Sequence, residues 1–278
     1  MSTLNLPRRQ LGLSDLKVPA ICLGTMTFGQ QNTQPQAFEQ LDYALERGVN
    51  FWDTAEMYPS PPDKDKQGDT ERFMGTWFNK TKQRDKVILA SKISPMDFLR
   101  DGQTRYTAAQ ISSAIDCNLE RLQTDYIDIY QLHWPERQAN FFSQRGYSEE
   151  MAAQSLDDLT PFLETIQALN DEIKKGRIRA YGLSNDTAWG LMRYLWEADK
   201  NGLIAPITVQ NPYSLLNRLY EVAMAEIAHR ENVGLLAYSP LGFGVLSGKY
   251  LDGKRPTGAR LTMYDRFARY TNEEALSA

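Results

Sequence analysis

The sequence is poor in the side chains that bind transition metals. Its 278 residues include two histidines, His133 and His229, and two cysteines, Cys22 and Cys117. None of the four stands at the close spacing of a zinc site, so no metal is expected. Two thiols also exclude a disulfide framework, and two buried thiols are the expectation. No apolar run is long enough to span a bilayer. The opening residues, MSTLNLPRRQLG, lack the apolar core of a signal peptide, which makes the cytoplasm the expected location. A formal net charge of -4 provides no global attraction to nucleic acid or to an anionic membrane. The Gly-x-Ser-x-Gly elbow of a serine hydrolase is missing as well.

What the chain has is an alternation of short apolar runs with longer amphipathic ones. Strands are expected over Ala20–Met26, Asn50–Tyr58, Val87–Ile93, Ile127–His133, Ile178–Asn185, Ile207–Tyr213 and Gly234–Leu241. Most are apolar throughout, as in parallel strands buried on both faces. Helices are expected over Gln36–Arg47, Thr107–Leu122, Asp158–Lys175, Thr187–Lys200 and Glu221–Arg230, with Asp186 as a cap for the fourth. This pattern gives an α/β fold in one domain spanning residues 1–278. A doubly wound sheet would need a Gly-rich turn after its first strand, and the glycines at 242, 244 and 248 come too late for that. A (β/α)8 barrel is therefore expected, with residues Leu4–Val18 forming a hairpin that plugs its bottom. Pro59–Asp69 and Pro135–Asp157 are long loops over the C-terminal face, where such barrels carry their sites. Only about seven strands are counted, and Thr271–Ala278 reads as the start of a helix. The expectation is an incomplete barrel, cut from a longer protein.

Several strand ends carry chemistry. Asp53 and Tyr58 close the second strand, Lys92 the third and His133 the fourth. A phenol is a weak acid, with a reference pKa of about 10, and a nearby ammonium lowers that value. A carboxylate can keep the ammonium charged, and an imidazole can orient a carbonyl oxygen. Such a group could protonate an oxygen while hydride reaches the adjacent carbon. Taken singly, these residues read equally well as a turn cap, a loop tyrosine, a solvated lysine and a core histidine. Their joint placement is what points to a site. At later strand ends, Ser184, Asn185 and Gln210 offer the donors and acceptors that a carboxamide needs. Tyr238 offers a stacking face, and the glycines of Ser239-Pro240-Leu241-Gly242-Phe243-Gly244 permit close approach to a pyrophosphate. Lys249, Arg255 and Arg260 could meet phosphate, or simply form a solvated basic loop.

These stretches resemble the aldo-keto reductases, in particular the Tas-like branch near the potassium-channel β-subunits. The resemblance is carried by Leu23-Gly24-Thr25-Met26-Thr27-Phe28-Gly29, Trp52-Asp53-Thr54-Ala55-Glu56-Met57-Tyr58, Ser91-Lys92, Gln131-Leu132-His133-Trp134-Pro135, Gly182-Leu183-Ser184-Asn185, Val209-Gln210-Asn211-Pro212-Tyr213 and Tyr238-Ser239-Pro240-Leu241-Gly242. It implies catalysis by Asp53, Tyr58, Lys92 and His133, with NADPH as cofactor and a small carbonyl compound as substrate. It places the nicotinamide amide on Ser184, Asn185 and Gln210, with Tyr238 on one face of the ring and Gly24, Thr25 and Met26 on the other. It wraps the pyrophosphate with Ser239, Pro240, Leu241, Gly242 and Gly244, and it gives Trp134 a part in the substrate pocket beside Tyr58 and His133. A nicotinamide-binding regulatory protein and an inactive truncated reductase are the alternative readings.

Overall fold

A computed structural model describes residues 6–273 and 275, apart from 97, 98, 100, 101, 103, 143 and 145. The first two strands, β1 (Arg8–Gln10) and β2 (Lys17–Pro19), pair antiparallel as a hairpin. Residues 4 and 5 of the expected hairpin lie outside the described residues. Seven parallel strands follow in chain order within one sheet: β3 (Leu23–Gly24), β4 (Phe51–Asp53), β5 (Ile88–Ile93), β6 (Ile127–Leu132), β7 (Ile178–Ser184), β8 (Thr208–Pro212) and β9 (Gly234–Tyr238). The sheet curls as part of a barrel. Among the described residues β3 and β9 have one strand neighbour each. Their positions are correspondingly more exposed than the fully buried β6. No helix among the described residues is long and apolar enough to cross a membrane.

The two-residue period of the strands divides the molecule. Trp52, Leu89, Tyr130, Tyr181 and Val209 point outward into the large core beneath the helices. Phe51, Ala90, Ile129 and Ala180 point inward and pack against Leu11, Leu16 and Val18 of the hairpin segment. Alternation then sends Asp53, Lys92, Gln131, Ser184 and Gln210 to the same inner face, further along the strands. The barrel interior is thus apolar at the hairpin end and polar at the other.

The helices are α1 (Gln34–Glu46), α2 (Asp69–Thr81), α3 (Ala108–Leu122), α4 (Glu149–Ala153), α5 (Phe162–Lys174), α6 (Ala188–Lys200), α7 (Met224–Arg230) and α8 (Arg260–Met263). Thr33 opens α1 with a capping box to Gln36, and the Thr107 side chain caps α3 by accepting from the Gln110 amide. Helix α2 was not expected. Its buried face includes Thr70, Glu71 and Gly75 beside Met74, Trp77 and Phe78, which dilutes the apolar period. Gly75 is needed there, because a Cβ would strike the Arg121 and Leu122 backbone of α3. Helix α5 begins later than Asp158, since Pro161 holds the preceding chain extended. Thr187, rather than Asp186, caps α6 by accepting from the Gly190 amide, while Asp186 pairs with Arg137. Cys117 is exposed on α3, off the stripe formed by Ile111, Ala114, Ile115 and Leu122. Cys22 is partly buried, so the two thiols are not both in the core. Of the helix expected over Thr271–Ala278, residues 274 and 276–278 lie outside the described residues.

A buried polar network ties α2 and α3 to the sheet. Glu71 accepts from Ser91 Oγ (2.5 Å), Asn118 Nδ2 (2.6 Å) and Arg121 Nε (2.7 Å), and Tyr130 donates its hydroxyl to Asn118 (2.9 Å). Glu71 is fully buried, so it depends on these donors. Arg121→Met should lower unfolding free energy by about 3–5 kcal/mol in a urea titration, because it strands the carboxylate. A loss below about 1 kcal/mol, the value of a surface pair, would remove this network from the account of stability.

Candidate active site

The polar layer converges on Asp53. This residue ends β4, and its neighbours in the sheet are Gly24 and Ala90. Its Oδ2 accepts from Lys92 Nζ at 2.6 Å. Its Oδ1 accepts from Gln131 Nε2 at 3.0 Å and from Gln210 Nε2 at 2.8 Å. Lys92 has no solvent exposure and donates additionally to the Thr54 carbonyl at 2.7 Å. Burial works against its charge, but Asp53 and Tyr58 outweigh that, and the ammonium pKa is raised.

Tyr58 does not lie in β4, contrary to the strand expected over Asn50–Tyr58. The chain keeps company with β5 through Thr54 N to Ala90 O (2.9 Å) and Glu56 N to Lys92 O (3.3 Å), then turns with Tyr58 N on Ala55 O (3.0 Å). This turn brings the Tyr58 hydroxyl to 3.4 Å from Lys92 Nζ, and the ammonium lies 4.8 Å from the ring centre. Lys92 pulls the phenol pKa down, as expected. Burial is the larger effect, however, and the net shift is upward.

His133 follows β6 directly, with its amide on the Ile93 carbonyl at 2.9 Å. Its ring stands edge-on to Tyr58 at 5.7 Å and against Trp134 at 4.9 Å, and Phe142 continues the aromatic wall 5.8 Å from Trp134. Nδ1 is 2.8 Å from Ser94 Oγ. Burial, then the Lys92 charge, holds the imidazole well below its ordinary pKa, so it is neutral. If Ser94 donates to Nδ1, the ring proton resides on Nε2 and can be given to an oxygen. Ser94, Gln131 and the Thr54 carbonyl are site-forming groups that the sequence reading passed over. Gln131 lies within the quoted Gln131-Leu132-His133-Trp134-Pro135 stretch, whereas nothing local marks Ser94.

The candidate carboxamide residues also meet. Ser184 Oγ donates to the Gln210 carbonyl (2.9 Å). Asn185 Nδ2 donates to the His133 carbonyl (2.9 Å) and to Ser184 Oγ (3.1 Å), and Tyr238 donates its hydroxyl to Asn185 Oδ1 (2.6 Å). Asn185 takes a left-handed φ of 52°, which turns its side chain back over the strand ends. Gly24 is open, Thr25 gives its hydroxyl to the Asp53 carbonyl (2.8 Å), and Met26 packs beside Phe243. Beyond Tyr238, Ser239, Gly242, Phe243 and Gly244 all have positive φ, forming a tight winding loop. Here the Gly242 and Gly244 amides close on the Ser239 and Leu241 carbonyls, at 2.8 and 2.9 Å. Pro240, Leu241, Lys249 and Arg255 are exposed. Arg260 differs from these cations. Burial depresses its pKa, and its buried Nε has no partner. A buried cation without a carboxylate fits a phosphate group, and the residues present accordingly fit a nicotinamide dinucleotide. Among the described residues no three metal-ligating side chains come together.

Residues 20–276 match the sequence pattern of the Aldo/keto reductase family. The chain is 48% identical to Protein tas of Escherichia coli over 269 residues, which is 95% of this chain and 77% of that protein. It is 33% identical to the uncharacterized oxidoreductase YrpG of Bacillus subtilis over 252 residues, covering 89% and 70%. Its fold superposes on the holo form of aldo-keto reductase AKR11C1 from Bacillus halodurans with a TM-score of 0.68 and 28% identity, covering 91% of this chain and 71% of that one. Family and fold together suggest oxidoreduction. With its inward-facing Asp53, Lys92 and Gln131 layer and its parallel sheet, the chain belongs to the aldo/keto reductase family.

Proposed function

We propose that the chain, acting as one domain over residues 1–278, reduces aldehydes or ketones to alcohols with NADPH, and that Tyr58 is the proton donor. The observation that carries this reading is the Tyr58 hydroxyl set 3.4 Å from a fully buried ammonium whose charge Asp53 maintains. The raised phenol pKa keeps Tyr58 protonated at neutral pH, which is the state a donor requires. As its proton passes to the carbonyl oxygen, the developing phenolate gains the Lys92 charge at close range in a site of low dielectric. Neutral His133 donates to the same oxygen and orients it. Trp134, beside His133, contributes an apolar wall that excludes water from the substrate.

When bound, NADPH supplies hydride to the carbonyl carbon. Ser184, Asn185 and Gln210 would hold its carboxamide, exchanging some of their mutual hydrogen bonds for bonds to it. Tyr238 would cover one face of the ring, and Gly24, Thr25 and Met26 the other. Ser239, Pro240, Leu241, Gly242 and Gly244 would wrap the pyrophosphate. Lys249 and Arg260 place positive charge beside this loop, where it would meet the phosphates of the dinucleotide.

Following NADPH consumption with benzaldehyde, Tyr58→Phe should lower kcat by about 10²- to 10⁴-fold. NADPH affinity, measured by tryptophan fluorescence, should stay within about twofold, since the hydroxyl is spent on the carbonyl oxygen. Wild-type turnover in the variant would sink the assignment of Tyr58.

The pH profile provides a second check. His133 is held neutral by burial and Tyr58 protonated by burial, so neither changes state near neutrality. The kcat/KM for reduction should be level from about pH 6 to about pH 9 and should decline only above about pH 10, as Tyr58 ionises. An acidic limb near the ordinary histidine value would show that His133 titrates during turnover.

A further inference from the structure

His133 is held by more than its own strand. Its Nδ1 meets Ser94 Oγ at 2.8 Å, and Ser94, just past the end of β5, is fully buried. Ser94 is itself fixed. Its amide donates to Glu56 Oε1 at 2.5 Å, and its carbonyl accepts from the Met96 amide at 2.9 Å. Glu56 is 3% exposed and stands two residues before Tyr58. Its own amide donates to the Lys92 carbonyl (3.3 Å), and its carbonyl accepts from Gln67 Nε2 (3.1 Å). A chain of hydrogen bonds therefore runs from the turn that bears Tyr58, through Glu56 and Ser94, to the imidazole. It runs beside the direct contact of the two rings at 5.7 Å.

A buried carboxyl group is costly unless it is bonded, so its presence here calls for a reason. Its place makes it the link between the Tyr58 turn and the support of His133. That support matters because a neutral imidazole has one donor and one acceptor nitrogen. Ser94 engages Nδ1, which leaves Nε2 for a substrate oxygen. The serine hydroxyl can serve Nδ1 in either sense, with opposite consequences. If it donates, the ring proton sits on Nε2 and can bond a carbonyl oxygen. If it accepts, Nε2 is bare and meets that oxygen lone pair to lone pair.

We propose that Glu56 and Ser94 are positioning residues: Glu56 holds Ser94, and the Ser94 hydroxyl donates a hydrogen bond to His133 Nδ1, fixing the tautomer with its proton on Nε2. This rests on the reduction reading given above and assigns the groups that set its second oxygen-facing side chain. The Tyr58 and His133 donors thereby keep one spacing, because the same short chain of hydrogen bonds joins them.

Long-range proton–nitrogen NMR spectra of the 15N-labelled chain test this without substrate. The chain has one other histidine, His229, exposed on α7, and His229→Gln assigns the signals. In the wild type at neutral pH, His133 should carry its proton on Nε2 and show Nδ1 as a hydrogen-bonded acceptor. In Ser94→Ala the Nδ1 resonance should move to that of an unbonded nitrogen, or the other tautomer should appear. With benzaldehyde, kcat of this variant should fall about 10- to 100-fold, the cost of misplacing a catalytic group. NADPH affinity should stay within about twofold. Glu56→Leu should lower kcat in the same way, and Glu56→Gln, which keeps a side-chain oxygen for the Ser94 amide, should recover most of that loss. A wild-type proton on Nδ1 would overturn the proposal. So would an unmoved Nδ1 resonance or an undiminished kcat in Ser94→Ala, or an undiminished kcat in Glu56→Leu. If the wild-type chain reduces no carbonyl compound, the reduction reading fails, and the spectra of the wild type and Ser94→Ala still decide the tautomer and its support.

Discussion

The ion pair between Lys92 and Asp53 is the constraint on which the site depends. An ammonium with no access to water is tolerable only if its charge is met at contact distance and its remaining protons are bonded. Asp53 meets the charge at 2.6 Å and the Thr54 carbonyl takes a second proton at 2.7 Å. Asp53 in turn draws in the amides of Gln131 and Gln210. One carboxylate thus gathers side chains from β4, β5, β6 and β8 across the barrel interior. The register of those strands follows from this requirement as much as from their apolar faces, because a slip by one residue would turn Lys92 outward and leave Asp53 without its cation.

Two polar layers divide the work. The Glu71 cluster lies outside the sheet, where it joins Ser91, Asn118, Arg121 and Tyr130 and stabilises the packing of α2 and α3. The Asp53 cluster lies inside and leaves one direction open, towards Tyr58 and His133. Ser91 and Lys92 are adjacent in β5 and face opposite ways, so the structural network and the chemical one grip the same strand from its two sides.

Much of this was legible in the sequence. Near-continuous apolar runs located the seven sheet strands, β5 to β8 to within one residue at each end, and placed Asp53 and Lys92 at strand ends that converge on one mouth. The edges of elements were less legible where polar or small residues face inward. Helix α2 buries Thr70, Glu71 and Gly75, so its pattern is not that of an apolar stripe. The reach of Tyr58 from a turn and the support of His133 by Ser94 are tertiary facts. They depend on residues about 40 positions apart or on different elements, and no local spacing encodes them. The upward shift of the phenol is of the same kind. A neighbouring ammonium is readable from strand ends, but the burial that outweighs it is a property of the whole assembled pocket.

The placement of Tyr58 on a turn, and not on the strand that carries Asp53, separates two properties of the site. The electrostatic field is anchored in β4 and β5, where any shift would break the buried pair. The hydroxyl hangs from residues 54–58 and is braced by Gly68 N on its own carbonyl (2.9 Å). Changes in the loop from 59 to 68 can therefore move or re-aim the phenol while the field remains as it is. A lineage with this fold has an inexpensive means of adapting to substrates of new shapes: reshape the arm that bears the hydroxyl and leave its power supply untouched.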